Sequence, residues 1–171
     1  MRGYAGDLAT GELIDAPATA AVVDAEGWIT TGDLGAVGED GNLRLAGRGS
    51  EMYIRGGYNV YPAEVEAVLG AVPGVAQIAV VGAPDPVLGE IGVAFVVPEP
   101  GSAPDLAGLV AASRAHLADY KAPDRLCLVD HLPLSAMAKV DTRALAPRAA
   151  EIAAQPAVAR PARPAKERVS P

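Results

Sequence analysis

The segment from residue 47 to residue 66, GRGSEMYIRGGYNVYPAEVE, constrains the fold of this chain more than any other stretch. Its paired glycines, Gly56 and Gly57, separate two short apolar stretches and predict a tight turn between two strands, because glycine adopts a positive φ without steric cost. Pro62 follows at the position that proline favours in the first turn of a helix. The segment therefore predicts a β-hairpin that leads directly into a helix.

After this segment, apolar residues recur with alternating helical and strand periodicity. The first helix is expected to end at Pro73-Gly74, and Asp141 is expected to cap a last short helix through Leu145. This order predicts an α+β fold, a small lobe with a short mixed sheet and helices on one face of it. The other predicted elements are strands at 28–30, 43–46, 77–81, 91–97 and 125–129, a loop at 83–90 and a helix that begins at Asp105.

Composition divides the chain into three regions. Residues 1–50 are rich in glycine and acidic residues, with short strand-like pieces around a turn at 39–42, and are not expected to bury a core alone. Residues 51–149 carry the predicted sheet and helices. Residues 150–171 are rich in alanine, proline and arginine, which predicts a disordered tail.

Charge, cysteine and histidine content exclude several classes of function. A net charge of −7 argues against nucleic acid as the main partner. No apolar run reaches the roughly 20 residues of a membrane span. The single cysteine, Cys127, cannot form an internal disulfide, which fits a cytoplasmic protein. Neither His116 nor His131 has metal-ligand spacing with the other or with Cys127, so no metal site is expected.

Three segments together resemble the acyl-adenylate-forming enzymes, the family of acyl-CoA synthetases, peptide-synthetase adenylation domains and luciferases. They are GWITTGDLG at 27–35, the segment at 47–66 and LPLSAMAKVDTRAL at 132–145, in the order of that family. The resemblance implies that residues 1–50 are a trailing β-rich remnant of the large adenylation domain and that residues 51–149 are the mobile C-terminal lobe. The form GGYNVYPAEVE is more similar to acyl-CoA synthetases than to peptide-synthetase domains.

The resemblance implies nucleotide binding by Asp33 and Arg48. Taken alone, Thr-Gly-Asp just after the strand predicted at 28–30 is common turn chemistry, and an isolated arginine is most often a surface residue. In the family, the matching aspartate holds the ribose hydroxyls of ATP and of the acyl-adenylate, and the matching arginine also approaches the ribose. The separation of fifteen residues suits two adjacent antiparallel strands that end at one site.

The resemblance also implies a hinge and a thiol channel. The hinge position of the family is usually Asp or Lys, and here it is Ser50, a departure from the pattern. A small residue still suits a hinge, which needs only to absorb a change in φ and ψ. Gly56, Gly57 and Tyr58 match the loop that borders the pantetheine arm of the thiol substrate, where a missing Cβ lets backbone lie close to it.

Lys139 matches the C-terminal lysine of the family, although a lone surface lysine is usually only solvated. The resemblance implies that it contacts the substrate carboxylate and the α-phosphate, where a fixed cation stabilises the negative charge that builds up on the phosphate oxygens. The glycine that usually precedes this lysine is Ala138 here. Alanine at this position is expected to exclude a strongly positive φ.

The resemblance therefore implies a fragment of an ATP-dependent acid–thiol ligase, inactive alone. ATP and CoA are the expected substrates, with Mg²⁺ accompanying ATP but finding no ligands in this chain. The expected partners are a carboxylic acid and the missing N-terminal adenylation domain, in cis or as a separate chain. The alternatives are a non-catalytic truncated module or split-gene subunit, and an adenylation domain that loads a carrier protein.

Overall fold

The computed structural model describes residues 17, 20–102, 104 and 106–155. The strands are β1 (Asp33–Val37), β2 (Leu43–Arg48), β3 (Tyr53–Arg55), β4 (Tyr58–Val60), β5 (Val75–Asp85), β6 (Gly89–Pro98) and β7 (Arg125–Leu128). The helices are α1 (Pro62–Gly70), α2 (Leu106–His116) and α3 (Thr142–Ala153). Across the described ranges, every helix is too short or too polar to cross a membrane.

The strands form two sheets. β1 and β2 make an antiparallel pair, and the other strands make a five-stranded sheet in the order β4-β3-β6-β5, with β7 parallel to β6. Because β5 pairs along one whole edge of β6, β3 and β7 share the other edge: β3 pairs at Gly89, and β7 pairs from Val93 to Val96. The α+β fold with a mixed sheet is confirmed.

The helices cover both faces of the larger sheet, so the prediction that they lie on one face is wrong. β5 and β6 carry apolar residues at consecutive positions, and both faces therefore have to be shielded from water. α1 and α2 pack on one face, with a core that includes Val65, Leu69, Val80, Ala94, Val96 and Leu109. α3 packs on the opposite face, with a core that includes Ala79, Val81, Val93, Phe95, Leu145 and Ala149.

Two of the predicted helix starts are confirmed. α1 begins at Pro62. Before α3, the Asp141 side chain accepts hydrogen bonds from the backbone N–H groups of Arg143 and Ala144 at 3.1 Å each, as an N-cap should. The third start, predicted at Asp105, lies outside the described residues.

α3 is longer than predicted, because Pro147 lies inside it instead of ending it. Proline removes one backbone hydrogen bond. Burial of Leu145 and Ala149 against the sheet outweighs that loss. The helix runs to Ala153, so the start of the predicted disordered tail is helical instead, and the part at 156–171 lies outside the described residues.

The first sheet differs from its prediction at one strand. The prediction of a strand at 28–30 is wrong. Ile29 forms only an isolated bridge with Val23, and the regular strand begins at Asp33. A regular β-strand needs a neighbouring strand to pair with. β2 lies opposite only the residues after Thr31, so the strand cannot begin earlier. The turn at 39–42 is confirmed and joins β1 to β2.

The prediction of a loop over the whole of 83–90 is also wrong, because β5 extends to Asp85 and β6 begins at Gly89. The carboxylate of Asp85 accepts the backbone N–H groups of Val87 and Leu88 at 2.9 and 2.8 Å, which closes a short hairpin turn. These two hydrogen bonds lower the pKa of Asp85.

The ring of Tyr53 lies across a glycine pair in the centre of the sheet. Gly82 and Gly92 face each other between β5 and β6, and a Cβ on either residue would overlap the tyrosine side chain. Tyr53 is 1% exposed. The two glycines therefore make room for the largest side chain of this core.

A glutamate from α1 binds the outer edge of β5. The Glu66 carboxylate accepts the N–H of Val80 at 2.8 Å. Burial of this carboxylate raises its pKa, the Val80 N–H opposes that effect, and the nearby Glu51 adds to it. A raised folded pKa means that the folded state holds the proton more tightly than the unfolded state does.

Stability is consequently expected to fall as the pH rises from the ordinary glutamate pKa of 4.5 through the raised folded value. Glu66→Gln keeps an oxygen for Val80 but carries no charge, so it should gain stability relative to the parent over that pH window, by up to about 1 kcal/mol because solvent screens a half-buried carboxylate. Urea unfolding of both proteins at a series of pH values measures the difference. Parallel pH profiles would contradict this assignment.

Candidate functional site

The ends of β1 and β2 bring Asp33 and Arg48 together. They are paired across the antiparallel ladder, and Arg48 Nε lies 3.3 Å from Asp33 Oδ1. The Thr31 hydroxyl accepts the N–H of Asp33 at 3.2 Å. Asp33 thus begins a strand, where it was expected to follow one. A carboxylate accepts several hydrogen bonds, so one contact from Arg48 leaves capacity for a ligand's hydroxyl groups.

The turn after β2 contains Ser50, the expected hinge residue. The backbone N–H groups of Glu51 and Met52 donate to the carbonyl oxygen of Arg48 at 3.1 and 3.3 Å, so the chain reverses tightly here. Ser50 is exposed and lines an open cleft of about 200 Å³, which the start of α3 at Thr142 also borders. Ser50 therefore lies on the short connection between the two sheets.

Gly56 and Gly57 form the turn between β3 and β4, at φ values of 56° and 87°. Gly56 donates its N–H to the carbonyl oxygen of Leu88 at 2.8 Å, while a Cβ at Gly57 would meet nothing within 4 Å. Beside the turn, the exposed ring of Tyr58 stacks on Tyr120 with centroids 4.7 Å apart. The turn therefore presents open backbone next to an aromatic surface.

Lys139 is exposed on a tight loop whose ends, Leu134 and Val140, form an isolated antiparallel bridge. Ser135 closes this loop. It donates its N–H to the Lys139 carbonyl oxygen at 2.7 Å, and its hydroxyl accepts the N–H of Lys139 at 3.3 Å. The backbone of Lys139 is thus held while its side chain extends outward.

Ala138 has a φ of +56°, so the expectation that alanine excludes a positive φ here is wrong. Its N–H donates to the Ser135 carbonyl oxygen at 2.9 Å, and Ala138 lies between this turn and the hydrogen bond from the Ser135 N–H to the Lys139 carbonyl oxygen. For alanine that conformation costs about 1–2 kcal/mol. Loop closure at Ser135 and the bridge beyond it outweigh that cost.

The glycine turn and the lysine loop attach to different faces of the larger sheet. Beside the turn, Tyr58 stacks on Tyr120, which packs against the core under α1 and α2. The loop of Lys139 leads within three residues into α3, which covers the opposite face. The two groups are therefore supported by helices on different faces of the sheet.

An ion pair that no sequence pattern indicated lies beside the glycine turn. Arg55 holds both carboxylate oxygens of Asp124 through Nε and a terminal nitrogen, at 2.8 Å each. The side chains are 15% and 9% exposed, and the Asp124 carboxylate raises the pKa of Arg55. No local pattern could have shown a contact between residues so far apart in the chain.

A second ion pair lies at the start of α1. Lys121 places Nζ 2.6 and 2.7 Å from the two carboxylate oxygens of Glu64. This hydrogen bonding raises the pKa of Lys121. Its position supports a structural role. Over the described part of the chain, no cluster of three or more His, Cys, Asp or Glu residues is arranged to hold a metal ion.

Comparison with known proteins identifies relatives along most of the chain. Residues 64–139 match the AMP-binding enzyme C-terminal domain. A 3-[(3aS,4S,7aS)-7a-methyl-1,5-dioxo-octahydro-1H-inden-4-yl]propanoyl:CoA ligase of Mycobacterium tuberculosis is 53% identical over 134 residues, which cover 78% of this chain and 26% of the relative. A 2-succinylbenzoate–CoA ligase of Geobacillus kaustophilus is 46% identical, covering 70% of this chain and 24% of the relative. The chain thus spans about a quarter of the length of these relatives.

Solved structures similar to this chain belong to the same group of enzymes as these sequence relatives. The o-succinylbenzoate CoA synthetase of Bacillus subtilis, in complex with its acyl-adenylate intermediate, is 35% identical with a TM-score of 0.71, over 78% of this chain and 27% of that one. An amide bond synthetase of Marinactinospora thermotolerans is 40% identical with a TM-score of 0.71, over 81% of this chain and 28% of that one. The chain belongs to the acyl-adenylate-forming enzymes, and it corresponds to their C-terminal part.

Proposed function

We propose that this chain supplies the mobile lobe of an AMP-forming acid–thiol ligase. In the first step, a carboxylate oxygen of the acid attacks the α-phosphorus of ATP, and pyrophosphate leaves. In the second step, the sulfur of CoA attacks the carbonyl carbon of the acyl-adenylate, and AMP leaves. The relatives named as CoA ligases support this pair of reactions.

Lys139 serves the first step. Attack of one anion on another builds negative charge on the phosphate oxygens, and an ammonium group held in a site that excludes water stabilises that charge. Two features support this role: the side chain is exposed, and the backbone at Lys139 is fixed by Ser135. A preorganised cation loses less free energy to ordering than a freely moving one.

Asp33 and Arg48 bind the nucleotide. The Asp33 carboxylate accepts the ribose hydroxyls, and Arg48 orients that carboxylate through the contact at 3.3 Å. Hydrogen bonds to a charged acceptor contribute about 1.5–3 kcal/mol each. Asp33 begins β1 and Arg48 ends β2, so both lie at the same end of the strand pair, which supports a shared ligand.

The observation that carries the proposal is the attachment of the glycine turn and the lysine loop to opposite faces of one sheet. A rigid lobe of this kind cannot present both groups to one reaction centre in a single orientation. Rotation at Ser50 would exchange them, with Gly56, Gly57 and Tyr58 lining the thiol channel in the second orientation.

The proposal requires a large adenylation domain, in the same polypeptide or in another. The first sheet and the segment that leads into it carry strongly exposed apolar side chains, which a folded protein normally covers. They are Trp28, Val37, Leu43 and Leu45. We propose that residues 1–50 complete that large domain, that residues 51–149 form the lobe, and that the 171-residue chain alone does not turn over.

A hybrid enzyme tests the function. The whole chain replaces the matching 26% of the M. tuberculosis ligase, and both half-reactions are measured with the acid named for that relative. ATP–pyrophosphate exchange reports the first step, and CoA thioester formation from supplied acyl-adenylate reports the second. Activity in the hybrid and none in the isolated chain is the expected result.

Two outcomes would contradict the proposal. Exchange by the isolated chain would show that it needs no large domain. A folded hybrid that forms neither product would refute the ligase function. Because one structural relative is an amide bond synthetase, an amine is offered in place of CoA in a parallel reaction, and faster amide than thioester formation would reassign the acceptor.

A further inference from the structure

The glycine turn is attached to a distant part of the chain by three independent contacts. All three reach residues 120–124, here named the clasp segment, which lies between α2 and β7. They are the Arg55–Asp124 ion pair, the Tyr58–Tyr120 stack and the Glu64–Lys121 ion pair. Hairpin, aromatic surface and helix start are therefore all bound to one segment.

The Arg55–Asp124 pair lies where strand pairing along one edge of β6 is interrupted. β3 contacts β6 at one paired position, Arg55 opposite Gly89, and β7 resumes pairing on the same edge at Val93. Asp124 crosses this interval, because its N–H donates to the carbonyl oxygen of Gly92 at 2.8 Å. Its carboxylate accepts two hydrogen bonds from the guanidinium of Arg55, the residue directly before the glycine turn.

The geometry of this pair resists rotation of the turn. Two parallel hydrogen bonds fix the plane of the guanidinium, which one hydrogen bond or a lysine ammonium cannot do. Both side chains are largely shielded from water, so solvent weakens their attraction little. The turn has a second support in the hydrogen bond from Gly56 to Leu88, the residue that precedes Gly89 at the start of β6.

We propose that Arg55 and Asp124 are positioning residues for the thioester-forming half-reaction. This inference rests on the proposed function. The pair holds the glycine turn in the orientation that admits the thiol. It has no part in adenylate formation, because that step uses the lysine loop on the other face. Loss of the pair should therefore slow one half-reaction and spare the other.

The main test is made in the hybrid enzyme, once the parent hybrid has been shown to carry out both half-reactions. Asp124→Asn is expected to slow thioester formation from supplied acyl-adenylate at least 10-fold at saturating CoA, since a displacement of about 1 Å can cost 10²-fold. ATP–pyrophosphate exchange should stay within 2-fold of the parent. Arg55→Lys keeps the positive charge but cannot form the two parallel hydrogen bonds, so it should give a rate of thioester formation between those of the parent and Asp124→Asn.

A double-mutant cycle and a control separate positioning from loss of stability. Arg55→Met combined with Asp124→Asn should be no slower than the worse single variant, because both remove the same interaction. The control is Val75→Ala, a buried truncation at the opposite end of the β5–β6 ladder. It lowers stability without touching the turn, and the ratio of the two half-reaction rates should not change.

Amide hydrogen exchange in the isolated chain measures how firmly the Arg55–Asp124 pair holds the turn, and it needs no enzyme activity. The Gly56 amide should exchange at least 10-fold faster in Asp124→Asn, while amides in the β1–β2 pair keep their parent rates. An equal loss of both half-reactions, or an unchanged thioester rate in a folded Asp124→Asn, would overturn the proposal and leave the ligase function standing. An inactive parent hybrid overturns the ligase function, and the positioning role with it.

Discussion

Lys139→Ala is expected to slow ATP–pyrophosphate exchange in the hybrid enzyme by about 10²–10³-fold, the usual cost of one preorganised charge-stabilising group. Thioester formation from supplied acyl-adenylate should remain near the parent rate. The reason is positional: the lysine loop and the glycine turn are supported from opposite faces of the sheet, and under the proposed function each serves a different half-reaction.

Lys139→Arg is the matched variant for this prediction. Arginine keeps the positive charge but differs in shape and hydration, so partial recovery of exchange would identify charge as the main contribution. Circular dichroism should show an unchanged fold, because the side chain is exposed and Ser135 binds only its backbone. Equal loss of both half-reactions would contradict the role assigned to this lysine.

Tyr53→Ala is expected to lower the free energy of unfolding by about 3–5 kcal/mol, the range for removing a large buried aromatic side chain. The loss should be at the upper end, because the ring fills the space over Gly82 and Gly92 and neither residue has a side chain that could collapse into the cavity. Since small domains are stable by only about 5–15 kcal/mol, this single change removes much of the stability.

Urea unfolding followed by circular dichroism measures this effect. Tyr53→Phe is the matched variant, because it keeps the ring over the glycine pair and should cost far less than the alanine. Gly92→Ala tests the same contact from the other side, and overpacking there should cost about 1–3 kcal/mol. A Tyr53→Ala protein as stable as Tyr53→Phe would show that the ring is not the support that its burial indicates.

Local patterns predicted those parts of the fold that local chemistry decides. The proline start of α1, the Asp141 cap and the glycine turn all follow from preferences that span only a few residues, and the structure contains each of them. The pairing of Asp33 with Arg48 also followed, because strand spacing and an intervening turn determine which residues lie opposite each other.

Tertiary packing decided what the sequence analysis missed. Pro147 should end a helix by its local chemistry, but Ala149 beyond it is buried against the sheet, so α3 continues. Ala138 adopts a left-handed conformation, which alanine disfavours, inside a loop that hydrogen bonds to Ser135 close. The Arg55–Asp124 pair joins positions 69 residues apart, and no periodicity within one element could have indicated it.

The hydrogen bond from the Val80 N–H to the Glu66 carboxylate has a consequence for the edge of the larger sheet. β5 is eleven residues long and has β6 on only one side, so its outer border offers unsatisfied peptide groups to any extended chain nearby. Glu66 occupies one of those donors near the middle of the strand and places a helix over it. An extended chain that paired with this edge would have to displace Glu66, so this side chain disfavours edge-to-edge association through β5.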